Sequence, residues 1–362
     1  MVNLLQVGPM LIIKLIGLTA IVVMLMELFL RQRHHEWTIN RDPNMKPTSA
    51  RFYDFEKISK IEPNINSDYL TRHFWTEMQT LTRDRSGLKM TNASGGKYLV
   101  AKNCAGQFFS VEGNLRKTSF EPISTQHNFY LFGSSTLHNF EVPDEMTTAS
   151  NVQKIFSESN TGFKVINYGV SGATIENNFA RMQAIEKQFN SGDVIVILFG
   201  INDVGLDTYP SYEVLTLKVL RRLGDISLLV RTIHRQLAKK SWKTHATATA
   251  KAKTDLINEI NVWASQRDIG FKAILEPVLH FKKNPNKYET ELRKSFGRKL
   301  DFLYMFGYQE FINLNDPEST SSAIAIFDQT EISVFLDQAH INAVGTKLLA
   351  AEIVKLSAFC LK

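Results

Sequence analysis

The chain has 362 residues, 44% hydrophobic and 22% charged, with a formal net charge of +6; that composition excludes collagen-like, low-complexity and intrinsically disordered classes. The length exceeds one typical domain and fits a single core plus an appendage. The basic balance comes without zinc-finger spacing, an RNP-like string or a basic-region heptad, so no nucleic-acid partner is expected. Cys104 and Cys360 lie far apart in sequence, which argues against a disulfide framework and a zinc site.

Residues 1–30 are almost wholly apolar, interrupted by Lys14 and Glu27. Residues 15–30 alone fall short of the roughly 20 that a spanning helix needs. Adding residues 4–13, with Lys14 snorkelling or buried against a partner, makes the run long enough. The string Glu27-Leu28-Phe29-Leu30-Arg31-Gln32-Arg33 offers no small-residue cleavage site, so an uncleaved single-pass membrane anchor is expected, with a buried helix of a soluble domain as the alternative. Arg31, Arg33, Arg41 and Lys46 follow the run while only Lys14 precedes them, a bias that argues for a cytoplasmic C-terminal domain.

Residues 31–50, with Pro43 and Pro47 among charges, read as a linker; the adjacent His34 and His35 fall in it. Residues 51–125 form an appendage of unknown role. A helix-like aromatic stretch over 69–81 precedes Gly95-Gly96 and alternating runs at 97–101 and 107–111, which predict a small β element. The sequon Asn92-Ala93-Ser94 reads as a chance occurrence.

From residue 126 the texture changes to brief apolar runs separated by segments long enough for crossover helices. The runs at 129–132, 164–167, 194–199, 272–275 and 311–314 predict buried parallel strands. The fold class expected is therefore α/β, a three-layer, doubly wound, flavodoxin-like parallel sheet over residues 126–362, with ligands at the carboxyl ends of its strands.

Polar clusters fall at those ends. Phe132-Gly133-Ser134-Ser135-Thr136 follows the first run; glycine permits a sharp turn and Ser135 would open a helix, its own N–H a candidate oxyanion donor, although Gly-Ser-Ser-Thr is also a common capping string. Asn167 to Thr174 follows the second run and offers Gly172 as a second donor. Gly200-Ile201-Asn202-Asp203 follows the third, where the Asn202 amide is a third donor or the head of an Asx turn. Asp337-Gln338-Ala339-His340 precedes an amphipathic stretch over 343–356. His340 is a capping or core histidine, or a general base whose Nδ1 an Asp three residues earlier reaches.

The ordered set Gly-x-Ser, Gly, Gly-x-Asn-Asp and Asp-x-x-His resembles the four motif blocks of the SGNH (GDSL-like) hydrolases, a superfamily of esterases, lipases and acylhydrolases. The resemblance implies Ser135 as nucleophile, the Ser135 amide, Gly172 and Asn202 as the oxyanion hole, His340 as general base and Asp337 as its orienting partner, with no metal and no cofactor required. Two departures stand out. Ser134 holds the place of the family's usual Asp, a Gly-Ser-Ser variant similar to members from bacterial polysaccharide gene clusters, as is the following Glu141-Val142-Pro143-Asp144-Glu145. The glycine expected a few residues beyond the nucleophile is replaced near Asn139.

Residues 212–253 carry ten Lys or Arg against two acidic residues, with Leu217, Leu220, Leu223, Leu228, Ile233 and Leu237 at roughly helical spacing. They predict a basic helical insertion, its charged face either solvated or set against an anionic membrane or acidic glycan. The function expected is a membrane-anchored serine esterase for an acylated glycan or lipid; the alternatives are acyl transfer to a polysaccharide and an inert glycan-binding or scaffold relative. Abundant acylated glycans and lipids outside the cytoplasm favour an extracytoplasmic catalytic domain, against the charge bias. Oligomeric state is not legible.

Overall fold

Val194–Phe199 is buried at every position, as a central strand with both faces covered must be. The computed structural model of the protein describes residues 19, 21–27, 72–82, 88–93, 96–122, 124–205, 228–295, 298–314 and 316–361. Residues 47–209 and 245–362 make one compact unit; residues 1–46 and 210–244 make another.

The first unit opens with α1 (Arg72–Thr82) and the antiparallel hairpin β1 (Leu88–Ala93) and β2 (Gly96–Ala101). Three short strands follow: β3 (Cys104–Ala105), β4 (Ser110–Glu112) and β5 (Leu115–Arg116). Then come β6 (His127–Phe132), α2 (Ser135–His138), α3 (Thr148–Glu158), β7 (Phe163–Asn167), α4 (Ile175–Ala184), β8 (Val194–Phe199) and α5 (Ile201–Gly205). After α6 (Leu228–Ser265) the chain forms β9 (Gly270–Leu275), α7 (Lys287–Ser295), α8 (Arg298–Asn313), β10 (Thr320–Ser322) and α9 (Ala343–Leu356).

The large sheet runs β10-β9-β8-β6-β7-β5-β4-β3. Its first five strands are parallel, and β5, β4 and β3 extend it antiparallel beyond β7. Taken alone, the parallel part has the doubly wound order 2-1-3-4-5, which puts a switch point between the carboxyl ends of β6 and β8. Alternation along the strands splits the core. Phe129, Leu131, Val194, Val196 and Leu198 join Val152 and Phe156 of α3 and Leu349 and Ile353 of α9. On the opposite face Tyr130 meets Phe189, which meets Trp263 of α6, and Phe199 meets Phe311 of α8. With helices on both faces, the sheet is the middle layer of three.

Two expectations change here. Residues 311–314 are not a strand: Phe311 lies on α8 with Tyr304 and Tyr308, all buried and three to four residues apart, so they read as one helical stripe. The fifth parallel strand is β10, whose Thr-Ser-Ser sequence carries no hydrophobic signal. Residues 104–116, placed in the appendage, pair directly with the main sheet through Arg116 and Asn167.

Most of the expected anchor, the linker and residues 212–227 of the expected insertion lie outside the described residues. Residues 21–27 are helical; among the described residues no helix is long and apolar enough to cross a membrane. On α6, Lys240, Lys243 and Lys251 are exposed, but Lys253 is buried and ion-paired with Glu176, with Asp203 3.8 Å away.

Candidate active site

Beyond β6, Gly133 and Ser134 turn the chain into α2. Ser134 has extended backbone; its Oγ accepts the Thr136 N–H at 3.4 Å and lies 3.1 Å from Thr136 Oγ1, which makes it the helix N-cap. Ser and Asp serve equally well as N-caps, so the Gly-Ser-Ser opening keeps the turn that an Asp would cap. Asn139 ends α2 at φ 53°, in the left-handed region that asparagine tolerates in glycine's stead. Its amide donates to Thr136 O at 2.6 Å and its Oδ1 accepts from Thr148 N at 2.8 Å.

Ser135 and His340 lie 205 positions apart in sequence, yet Ser135 Oγ is 2.8 Å from His340 Nε2. His340 Nδ1 is 2.7 Å from Asp337 Oδ2, while Asp337 Oδ1 accepts the Ala339 and His340 backbone N–H groups, each at 2.8 Å. Those two backbone bonds hold the carboxylate in one orientation, so the ring and its tautomer are fixed by the same short loop. Burial works to raise the Asp337 carboxyl, but His340 and these hydrogen bonds keep it below the ordinary carboxylate range. Burial likewise disfavours charge on His340; Asp337 first and Glu141 next overcome it and lift the imidazole to about 10.

The other two clusters flank this triplet. Gly172 sits half-buried at φ +81°, where an added Cβ would meet nothing closer than Leu99 Cδ1 at 3.8 Å; the demand for glycine is conformational, not steric. Gly169 is the reverse case, since a Cβ there would lie 2.7 Å from His138 N. Its carbonyl is 2.8 Å from His138 Nδ1, which locks this loop against α2. The half-buried Asn202 donates from Nδ2 to Ala173 O at 3.1 Å. One amide hydrogen therefore ties the third cluster to the second, and an NH₂ group has one more to give.

Residues 131–282 match the model of the family described as GDSL-like Lipase/Acylhydrolase. Within those residues, under half of the chain, lies a GDSL-like, SGNH-type hydrolase domain of the kind that acts on ester bonds. Solved structures similar to it include an acetyl xylan esterase, AlAXEase, at 12% identity over 63% of this chain and 98% of the other, with a TM-score of 0.37. Axe2, an acetylxylan esterase from Geobacillus stearothermophilus, matches at 15% identity over 66% and 96%, TM-score 0.36. A lipase/acylhydrolase from Enterococcus faecalis matches at 18% identity over 64% and 94%, TM-score 0.36. The chain matches none of the curated protein sequences.

The hydrolase holds two buried glutamates at this site that the motif blocks did not single out as functional. Glu276, immediately beyond β9, accepts the Thr136 hydroxyl hydrogen on one oxygen and Ile201 N–H at 2.8 Å on the other. It thus joins the residue after Ser135 to the residue before Asn202. Burial pushes its carboxyl up to about 7. Asp203 acts similarly on the neighbouring turn, accepting Ile175 N–H and Gly200 N–H, each at 2.9 Å. The signal for Glu276 was its place at the carboxyl end of a strand; only the fold shows that it points inward.

Glu141 is the second. It is 2% exposed, its Oε1 is 3.9 Å from His340 Nε2, and its Oε2 has no hydrogen-bond partner. Burial raises its carboxyl to about 7 against the opposing pull of His340. The loop that carries it is braced by Arg116, which is wholly buried, donates to His138 O at 3.2 Å and Val142 O at 3.0 Å, and ion-pairs with Asp144. Among the described residues no group of His, Cys, Asp or Glu side chains is arranged to hold a metal ion.

Proposed function

We propose that this hydrolase is a membrane-anchored serine esterase that removes acyl groups from an acylated carbohydrate or lipid, with Ser135 as nucleophile. The observation that carries the reading is the chain of short contacts Ser135–His340–Asp337, at 2.8 and 2.7 Å, beside the sheet's switch point. A serine hydroxyl is a weak nucleophile at neutral pH. In its neutral form His340 accepts the Ser135 proton at Nε2 as Oγ attacks the ester carbonyl, and Asp337 stabilises the imidazolium that results. The Ser135 and Gly172 N–H groups and the Asn202 amide receive the charge developing on the carbonyl oxygen; each donor of this kind is worth about 2.7–4 kcal/mol. Collapse expels the alcohol, which takes the proton from Nε2, and leaves the acyl group on Oγ. Water then reverses these steps and releases the acid.

The apolar run over residues 1–30 supports the anchor, and the abundance of acylated glycans and lipids outside the cytoplasm supports an extracytoplasmic site. Incubation of the full chain with a fluorophosphonate probe tests the chemistry. Wild type should label and Ser135→Ala should not; a folded wild type that fails to label would point to an inert relative.

A further inference from the structure

Glu141 has no part in the reaction just described, yet it is a buried carboxylate whose nearest charged neighbour is the catalytic face of His340. The distance from its Oε1 to His340 Nε2 is 3.9 Å, too long for a hydrogen bond. Such a gap between polar atoms is the span that one bridging oxygen fills. An oxygen about 2.8 Å from both atoms subtends an angle of roughly 90° there, close to that between the two O–H bonds of water. The other oxygen, Oε2, is buried without a partner, and a buried acceptor left unpaired is costly. A carboxylate with spare acceptor capacity has thus been kept within reach of the atom that moves protons.

Resting on the esterase reading above, we infer that Glu141 and His340 together hold the water that hydrolyses the acyl-enzyme, so that the site selects water over alcohols as acyl acceptor. Once Ser135 Oγ carries the acyl group, Nε2 no longer receives its hydrogen. A water molecule donates one hydrogen to Nε2 and the other to Glu141. Its oxygen attacks the acyl carbon and forms the new C–O bond while the first hydrogen passes to Nε2 as a proton. The tetrahedral oxyanion collapses, the bond from carbon to Oγ breaks, and Nε2 returns the proton to Oγ. The second hydrogen remains on the released carboxylic acid and leaves to solvent as a proton. An alcohol has a single O–H, which Nε2 takes; Glu141 then faces the alcohol's carbon substituent, and its acceptor stays unpaired. The discrimination is therefore between two hydrogen bonds and one, the kind of unmet buried partner that rejects an analogue most strongly.

The test uses the full chain, p-nitrophenyl acetate as acyl donor and methanol as competing acceptor, with acetate and methyl acetate quantified against nitrophenol released. The ratio of hydrolysis to methanolysis reports acceptor choice alone and does not depend on how much enzyme is correctly folded. In Glu141→Met, which keeps the volume and removes the acceptor, the ratio should fall about tenfold, the worth of one hydrogen bond to a charged group. In Glu141→Gln, whose amide oxygen still accepts, the fall should be smaller. An unchanged ratio in both variants, with either normal or reduced nitrophenol release, overturns the inference and makes Glu141 a structural group. Absence of nitrophenol release from folded wild type would instead overturn the esterase reading itself.

Discussion

Burial gives Glu276 a part in how the protein answers to pH. Its carboxyl is raised to about 7 by burial, against an ordinary value near 4.3. A raised folded value gives stability that is complete below the ordinary value and is lost as pH climbs through about 7, because the unfolded carboxyl ionises first. Thermal midpoints measured from pH 4 to 8 should therefore fall less steeply, or rise more, in Glu276→Gln than in wild type, while Glu141 and His340, likewise raised in the fold, keep their share of the dependence in both. Identical slopes would show that Glu276 is already ionised in the fold. Ser135, Asp337 and His340 were readable as residues because motif spacing reports local chemistry. Glu141 and Glu276 were not, since what makes them matter is the exclusion of water, which residues far away in sequence bring about.

At the level of elements, the helix that opens on Ser135 is only four residues long and depends on its two ends. Asn139 holds the left-handed position, so Asn139→Ala and Asn139→Gly lose the same two side-chain hydrogen bonds but differ in backbone strain. The alanine variant should be the less stable by about 1 kcal/mol, read from urea midpoints; equal midpoints would mean that the turn relaxes. Strands that alternate or bury both faces, such as residues 194–199, were legible from hydrophobic runs, as was the helix over 343–356. Residues 311–314 were misread because so short a mainly apolar stretch is shared by a strand and one face of a helix. β10 was missed because an edge strand of three polar residues leaves no such run. Lys253 was read with the basic face of its helix, while its partners Glu176 and Asp203 come from two other elements.

Taken whole, the molecule divides its sequence unequally between what the sheet needs and what it does not. β5 joins residues 115–116 to the sheet edge, and Arg116 reaches from there into the loop that bears Glu141. Truncation to residue 126 should expose that edge and strip Asp144 of its buried partner, a loss of about 3–5 kcal/mol for the pair alone, and yield aggregated protein. Removal of residues 1–30 should leave a soluble enzyme active on short acyl esters, because no proposed catalytic residue lies upstream of 135. Gel filtration and esterase assay of the two truncations check both statements; a folded, active product from the longer deletion would show the edge strands to be dispensable.

The 205 positions between Ser135 and His340 also impose an order in time on the newborn chain. At synthesis rates of about 5–20 residues per second, roughly 10 to 40 seconds separate the two. Throughout that interval the proposed nucleophile exists without its proposed base, an unreactive hydroxyl on a growing polypeptide. On the proposed mechanism, activity waits for the segment just ahead of α9. A chain that stops anywhere before residue 340 would thus carry Ser135 without its proposed base and would be silent.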